Sequence, residues 1–316
     1  MHASIKNRRE FTPVSAGPEW PAAGACLIYG QGYGPDREYE RRECMSVRNL
    51  LKNLLVSEAT EAVVDKIPKP VGSFGYDPWG YNTDAVKIAL SVMRPIYEDY
   101  FRVEAFGLEN IPANGRLLVI ANHSGQLPFD GSLVGYAMAT NPHTPRAVRV
   151  MVERWFPTIP FVGNIFNEMG AVLGDPINCA KMLRNEEAIV VFPEGVRGSG
   201  KTWDKRYKLQ RFGLGFMHLA ITENTPIVPV GIVGCEETMP TPFHLKRLAR
   251  LFGMPYFPVT TPIPLPAKVR LYFGKPMTFA GPIGGEDEVA VKVERVKDEI
   301  NALIQRGLQE RSGWFE

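Results

Sequence analysis

Apolar residues recur with a helical period in the first third of the chain. Between residues 47 and 63 they return every three or four positions until Pro68 ends the pattern. A second stripe covers residues 83–97, with Thr83 as a candidate N-cap and Pro95 expected to kink the helix. Helical stripes usually cover a core, and a membrane-contacting hairpin is the alternative. The sequence leaves both interpretations open.

Beyond residue 101, short apolar runs alternate with helical stripes. Predicted strands cover residues 102–106, 116–121, 147–152, 171–173, 188–192, 227–233 and 268–273, and predicted helices cover 133–140, 179–185, 209–222 and 287–308. A mixed helical segment broken by prolines spans 155–169. The alternation predicts an α/β fold, with a mostly parallel sheet flanked by helices and an N-terminal two-helix extension. We therefore expect an arm (1–45), a helical region (46–100) and an α/β domain (101–316).

One segment interrupts the alternation. Residues 251–267, LFGMPYFPVTTPIPLPA, are uncharged, aromatic and dense in proline. Proline excludes a regular helix or a central strand, and a long apolar loop at a surface is unusual. The segment is either a loop folded back on the body, or the wall of an acyl-chain channel or a lip that touches a membrane.

Composition narrows the class of protein. The 316 residues are 45% hydrophobic and 22% charged, as in ordinary globular proteins, and a net charge of +2 does not indicate a nucleic-acid partner. The four cysteines lack metal-ligand spacing and are expected to be free thiols in a reducing compartment. No secretory signal is visible, and no apolar stretch reaches the roughly 20 residues of a membrane-spanning helix. Any membrane contact is therefore expected at the surface.

A candidate catalytic pair lies in residues 117–130, LLVIANHSGQLPFD. An apolar strand ends at His123, and Asp130 follows after a short loop. Strand ends of open α/β sheets collect functional groups. A neutral imidazole takes a proton from an attacking hydroxyl, and a carboxylate fixes its tautomer. The alternative is a core histidine beside a helix-capping aspartate. Ser124 lacks the G-x-S-x-G elbow, so a covalent serine mechanism is not predicted.

A second buried strand ends in the polar turn of residues 192–197, FPEGVR. Glu194 is placed to bind substrate hydroxyls, and Arg197 to form a fork on a phosphate or carboxylate. The basic residues that follow are Lys201, Lys205, Arg206, Lys208 and Arg211. Such a cluster suits an anionic ligand, whereas a solvated basic loop is the alternative.

Taken in order, these stretches resemble the glycerolipid acyltransferases typified by 1-acylglycerol-3-phosphate acyltransferase. The family's first block is matched by Asn122, His123 and Asp130, and its third block, F-P-E-G-x-R, by residues 192–197. Its fourth block, an apolar strand with a proline, is matched by residues 226–230, which include Pro229. With a similar lead-in at residues 106–112, the resemblance covers residues 101–274.

The first departure from the family pattern concerns the catalytic pair. The family usually places four residues between the histidine and the aspartate, whereas six separate His123 from Asp130. The longer loop must bulge if the two side chains are to meet.

The second departure concerns the second block, G-x-x-F-x-x-R, whose arginine is implied to bind the acceptor's phosphate. Gly163 and Phe166 stand in register, but Met169 occupies the arginine position. A thioether does not bind phosphate, so Arg184 or Arg197 substitutes or the acceptor lacks a phosphate there.

The resemblance implies an O-acyltransferase without metal, cofactor or covalent enzyme intermediate. Acyl-CoA or acyl-ACP is the expected co-substrate, a glycerolipid hydroxyl is the acceptor, His123 is the general base and Asp130 steadies the imidazolium. The expected substrate-binding residues are Asn122, Ser124, Glu194, Gly195, Arg197, Lys201 and Pro229. Backbone amides at 124–125 or 194–195 are expected to bind the oxyanion.

The same resemblance places the protein in phospholipid biosynthesis, peripherally on the cytoplasmic face of a membrane and without a transmembrane span. A lysophosphatidate-like acceptor is favoured because of Arg197 and the basic run, whereas Met169 argues for mono- or diacylglycerol. A catalytically idle lipid-binding protein of the same fold and a hydrolase are the alternatives. No nucleic-acid partner is expected.

Overall fold

The computed structural model describes residues 47–67, 75–124, 127–154, 162–251, 253–281 and 285–316. The arm predicted over residues 1–45 lies outside these ranges. So do Pro68, expected to end the first helical pattern, and residues 155–161 of the proline-broken segment.

The first helical pattern forms two helices rather than one. Helix α1 spans Val47–Leu55 and α2 spans Glu58–Asp65, and the Ser57 side chain between them accepts a hydrogen bond from the Thr60 amide as the N-cap of α2. Helix α3 spans Thr83–Pro95, and Asn82, rather than the predicted Thr83, is its N-cap. At Pro95, where a kink was predicted, the α-helix changes to a π-helical turn that spans Ile96–Tyr100.

The predicted alternation of strands and helices is confirmed beyond this region. The strands are β1 (Glu104–Phe106), β2 (Leu117–Ala121), β3 (Val148–Val152), β4 (Ala171–Leu173), β5 (Ala188–Val191), β6 (Ile227–Val233), β7 (Phe243–His244), β8 (Pro258–Val259) and β9 (Arg270–Phe273). The helices are α4 (Phe129–Ala139), α5 (Val162–Glu168), α6 (Pro176–Arg184), α7 (Val196–Ser199), α8 (Gly215–Thr222), α9 (Cys235–Thr238), α10 (Lys246–Leu251) and α11 (Glu286–Glu310). The unpredicted elements, α7, α9, α10, β7 and β8, are too short to show a period.

Seven strands form one sheet in the order β1-β9-β6-β2-β5-β3-β4, and β7 pairs with β8 apart from it. Strand β2 runs parallel to both β5 and β6, and β3 runs parallel to β5 and β4. The pairing of β6 with β9 is antiparallel. The mostly parallel α/β fold is thus confirmed, and the carboxyl ends of β2, β5 and β3 lie side by side.

Alternate residues of the sheet enter two separate cores. On one face, Leu117 and Val119 of β2 pack with side chains of α3 and α4. On the other face, Leu118 and Ile120 pack with α6, α8 and α11. Helix α11 buries the whole predicted stripe, namely Val289, Val293, Val296, Ile300 and Ile304. Each such side chain stabilises the fold by about 1.5–3 kcal/mol.

The two-helix extension is not uniform. Helix α3 buries Val86 and Leu90 against the sheet, as a core cover does. Helix α1 buries none of its residues, and its apolar Val47 and Leu54 are 73% and 75% exposed. Core cover therefore describes α3, while the membrane-contacting alternative stays open for α1. None of the described helices is both long and apolar enough to cross a bilayer.

Candidate active site

A cavity of about 710 Å³ lies on the α3 and α4 face of the sheet. His123 and Asp130 line it together with Gly195 and Ser199 from the turn after β5. From there the lining follows α4 to Ala139 and includes apolar side chains of α3, namely Val86, Ala89, Leu90 and Met93. The two polar turns singled out in the sequence therefore meet at one apolar hollow.

The longer loop does not separate the catalytic pair. The Nδ1 atom of His123 lies 2.5 Å from Oδ2 of Asp130, and the same oxygen accepts a hydrogen bond from the Ser124 amide at 3.0 Å. The other oxygen accepts from the Gly131 amide at 2.8 Å. Asp130 lies in the first turn of α4, whose N-cap is Pro128, so it does not cap the helix. With Nδ1 directed at the carboxylate, Nε2 is the free ring nitrogen.

The surroundings of His123 set its basicity. Burial lowers the pKa of His123, but the Asp130 carboxylate and the nearby Glu194 outweigh burial, so the pKa lies above its ordinary value. The side chain remains 18% exposed. A more basic ring that borders a cavity is a stronger proton acceptor once it is neutral.

Close packing fixes the ring from the side of the β5 turn. The Phe192 ring stacks on the imidazole with 4.7 Å between ring centroids. A Cβ atom at Gly198 of α7 would lie 2.7 Å from Cβ of His123 and 2.6 Å from Cβ of Glu194. Only glycine allows α7 to approach the histidine this closely.

Glu194 faces the protein rather than the cavity. Its Oε1 accepts a hydrogen bond from the His123 amide at 2.9 Å, and its Oε2 accepts from the Gln210 amide at 2.7 Å. The carboxylate is fully buried, with the ammonium of Lys201 at 3.7 Å. Both oxygens are thus occupied by backbone groups, and the geometry makes Glu194 a brace for His123 rather than a contact for substrate hydroxyls.

With this geometry established, comparison with known proteins identifies the family. A sequence model of the family described as Acyltransferase matches residues 102–233. An uncharacterized protein of Mycobacterium tuberculosis is 36% identical over 248 residues, which cover 75% of this chain and 68% of that protein. The chain belongs to the acyltransferase family. The family resemblance read from the sequence is confirmed.

Two further relatives are more distant. The human protein described as DGAT1/2-independent enzyme synthesizing storage lipids is 28% identical over 210 residues, which cover 64% of this chain and 61% of that protein. The crystal structure of the 1-acyl-sn-glycerophosphate (LPA) acyltransferase, PlsC, from Thermotoga maritima aligns with a TM-score of 0.47 and 20% identity, over 72% of this chain and 83% of that one.

Three of this acyltransferase's expected substrate-binding residues serve the framework around the site. Asn122 donates to the Ile232 carbonyl and accepts from the Ile232 amide, which ties β2 to β6. The Ser124 amide binds Asp130, and the Ser124 hydroxyl lies beside the buried thiol of Cys235. Pro229 does not border the cavity, because alternate residues of β6 face opposite sides of the sheet and Pro229 packs toward Gly274.

The basic residues separate into two groups. Lys201 is buried and bonds to Glu236 at 2.7 Å, so it is not part of a solvated loop. Arg197 is exposed, does not line the cavity, and donates to the Arg211 carbonyl at 3.2 Å. A solvated loop, the alternative to an anion-binding cluster, therefore describes Arg197 but not Lys201.

Arg184 and Arg197 were considered as substitutes for the family's arginine at the position of Met169, and neither lines the cavity. Met169 itself lines the cavity. Arg184 ends α6, ahead of the amino end of β5, and pairs with Glu223 at 2.6 Å. Sequence reasoning missed Arg154, an exposed side chain just after β3 that does line the cavity. Its only sequence signal was its place directly after an apolar strand.

The proline-rich segment contributes a second unforeseen residue. Tyr256, with Gly253, Met254 and Pro255, lines the cavity, so this part of the segment is a wall of the hollow. The ring lies over Gly200, where a Cβ atom would be 2.9 Å from Cδ1 of the tyrosine. Sequence reasoning recognised the segment but not the tyrosine, because its composition carries no period.

Of the backbone amides expected to bind the oxyanion, those of Ser124 and Gly195 bind other groups of the protein, and Gly125 lies outside the described residues. The Ser124 amide donates to Asp130, and the Gly195 amide donates to the Phe192 carbonyl at 3.0 Å.

Within the described ranges, no three His, Cys, Asp or Glu side chains lie together as possible metal ligands. The described thiols, Cys179 and Cys235, are free, and burial raises the pKa of both.

Proposed function

We propose that this acyltransferase moves a fatty acyl group from an acyl thioester, acyl-CoA or acyl-ACP, to a hydroxyl of a glycerolipid, with His123 as the general base. One observation carries the proposal. The imidazole is held by Asp130 through Nδ1 at 2.5 Å while its ring borders an apolar cavity of about 710 Å³. That combination supports a role for His123 as a proton acceptor beside a space suited to a lipid chain.

The proposed reaction proceeds by direct transfer. The acceptor hydroxyl gives its proton to Nε2 of His123 as its oxygen attacks the thioester carbonyl. Asp130 stabilises the imidazolium, and collapse of the tetrahedral intermediate expels the thiolate, which takes the proton back. General base catalysis of this kind contributes about 10²- to 10⁴-fold. The hydroxyl oxygen gains the acyl carbon, and the carbon–sulfur bond breaks.

The acyl chain is proposed to lie along α4. Gly131, Gly135 and Ala139 stand four residues apart on this helix and all line the cavity. A Cβ atom at Gly135 would meet Val148 at 3.7 Å, so α4 passes close to β3 at this point. The small residues of this stripe put no bulky side chain into the cavity, and the hydrocarbon chain is proposed to lie beside them.

The acceptor is proposed to be a neutral mono- or diacylglycerol rather than a lysophosphatidate. Arg197 and Lys201 were the reasons for expecting a phosphate on the acceptor, and the structure weakens both. Arg197 donates to a backbone carbonyl, and Lys201 is enclosed by carboxylates. Met169 in the cavity wall adds no charge. The human relative's description as an enzyme that synthesizes storage lipids supports the same choice.

A lysophosphatidate acceptor is the second candidate, because Arg154 borders the cavity. An assay of purified enzyme with acyl-CoA and each of lysophosphatidate, monoacylglycerol and diacylglycerol separates the two. We expect turnover with the neutral acceptors, and we expect Arg154→Ala to leave it unchanged. Preferential turnover of lysophosphatidate, lost in Arg154→Ala, would reverse the choice of acceptor.

Two other classes remain as outcomes of the same assay. A catalytically idle protein releases no CoA with any acceptor, and a hydrolase releases free fatty acid without one. The idle interpretation rested on the longer loop between His123 and Asp130, and their contact removes that reason. We also propose peripheral membrane association, supported by the exposed apolar side chains of α1.

A further inference from the structure

A chain of buried charges leads away from the backbone amide of His123. Glu194 holds the His123 amide, and Lys201 lies between Glu194 and Glu236, at 3.7 Å and 2.7 Å. The side chains of Glu194, Lys201 and Glu236 are 0%, 4% and 6% exposed. Charges so fully removed from water persist only when paired.

The chain continues to the end of the terminal helix. The second oxygen of Glu236 accepts a hydrogen bond from the Tyr207 amide at 2.6 Å, and the Tyr207 hydroxyl bonds to Glu237. Arg311, which follows α11, donates to Glu237 at 2.6 Å. Three carboxylates and two cations thus connect the His123 turn to residues after the last helix.

Lys201 is the member on which the charge balance depends. Burial raises the pKa of Glu236, and the Lys201 ammonium opposes that rise. The ammonium also lowers the pKa of His123, against the effects of Asp130 and Glu194. Without it, Glu194 and Glu236 would be two buried carboxylates close together with no cation between them.

We infer that Lys201 is a positioning residue: its ammonium lies between the buried carboxylates of Glu194 and Glu236, and it keeps Glu194 in the place from which Glu194 holds the His123 backbone in its working position. This inference rests on the proposed role of His123 as the base. It replaces the expectation that Lys201 binds substrate. Without the ammonium the two carboxylates would repel each other, and the hydrogen bonds from the His123 and Gln210 amides to Glu194 would be strained.

The kinetic test uses Lys201→Met, the double variant Lys201→Met/Glu236→Gln, and Lys205→Met as the matched control from the exposed part of the same basic run. In Lys201→Met we expect kcat to fall about 10- to 100-fold, since a small displacement of the base costs up to about 10²-fold, with both KM values unchanged. The double variant removes the surplus carboxylate charge and recovers part of kcat. Lys205→Met matches the wild type.

A measurement without turnover accompanies the kinetics. In protein labelled with ¹⁵N-glutamine, the Gln210 amide reports on Glu194, to which it donates at 2.7 Å. Its resonance is assigned by its absence in Gln210→Ala. In Lys201→Met this resonance should move away from its wild-type position, because the displaced Glu194 loses its contact with the Gln210 amide. In the double variant the resonance should return toward the wild-type position.

The outcomes separate the two proposals. A wild type without acyl transfer to any acceptor rejects the proposed function, and the Gln210 resonance still decides whether Lys201 controls Glu194. Normal kcat in Lys201→Met, or a Gln210 resonance that behaves as in the wild type, overturns the positioning role. A raised KM for one acceptor, not relieved by Glu236→Gln, would return Lys201 to substrate binding.

Discussion

The two faces of the central sheet are covered by helices of different kinds. On one face α11 presents valines and isoleucines, and its stripe from Val289 to Ile304 is fully buried. On the other face α4 presents Gly131, Gly135 and Ala139, and the cavity lies in front of them. Both faces carry a packed core, but the cavity opens on the α4 side, here called the hollow face, where these small residues lie. Packed faces confer stability, and the hollow face is available for a ligand.

The largest effect is expected from His123→Ala on the hollow face. Acyl transfer should fall by roughly 10³-fold or more because no other group takes the acceptor's proton. Initial rates of CoA release measure it, with the exposed His143→Ala as the matched control. Normal turnover in a folded His123→Ala protein would remove the mechanism.

A smaller loss with a distinct pH signature is expected from Asp130→Asn. Asp130 raises the pKa of His123, and the base acts when neutral, so the wild-type rate should rise with pH through a midpoint above about 6.5. Without the carboxylate, burial lowers the pKa of His123, and this midpoint moves to lower pH. The maximal rate should fall roughly 10²-fold, the lower end of what general base catalysis contributes, because the ring loses its orientation. Profiles of kcat/KM against pH check both statements, and a midpoint that stays in place contradicts them.

Filling the cavity beside α4 should alter the enzyme's choice of acyl chain. In Gly135→Leu the new side chain projects toward Val148 and into the space proposed for the acyl chain. Turnover of long-chain thioesters should fall roughly 5- to 150-fold, the equivalent of about 1–3 kcal/mol of overpacking, while short chains are spared. A series of acyl-CoA lengths measures this, and Gly135→Ala is the control. Equal losses for all lengths would place the chain elsewhere.

The opposite result is expected on the packed face. Ile300→Ala in α11 should lower the free energy of unfolding by about 2–5 kcal/mol through the cavity it leaves. Turnover by the folded protein should remain unchanged, because Ile300 lies across the sheet from His123. Urea unfolding followed by circular dichroism measures the first effect. A loss of kcat at full folding would show that the two faces are coupled.

Much of the fold was predictable because it depends on local periodicity. The alternation after residue 101, the stripe of α11 and the strand leading to His123 all follow from residue order. The break between α1 and α2 at Ser57 was missed, because the apolar period continues across a cap. The helices α7 and α10 were missed because they are too short to show a helical period.

The candidate site was predictable in its catalytic pair and less so in its surroundings. His123 and Asp130 were found, but not whether the longer loop let them touch. Glu194 and Lys201 were expected to face a substrate, whereas both are buried in mutual contact. Tyr256 was invisible because nothing in its own segment relates it to the β5 turn.

Residue order alone determined which segments form strands and helices, and which polar turns follow the apolar strands, since these depend on interactions between near neighbours. The tertiary structure decided the direction and burial of each side chain. It enclosed Lys201 between two carboxylates and left Arg197 in solvent, although only three residues separate them. Burial is set by what packs against a residue from distant parts of the chain, and a charge is a ligand for substrate only where that packing leaves it exposed.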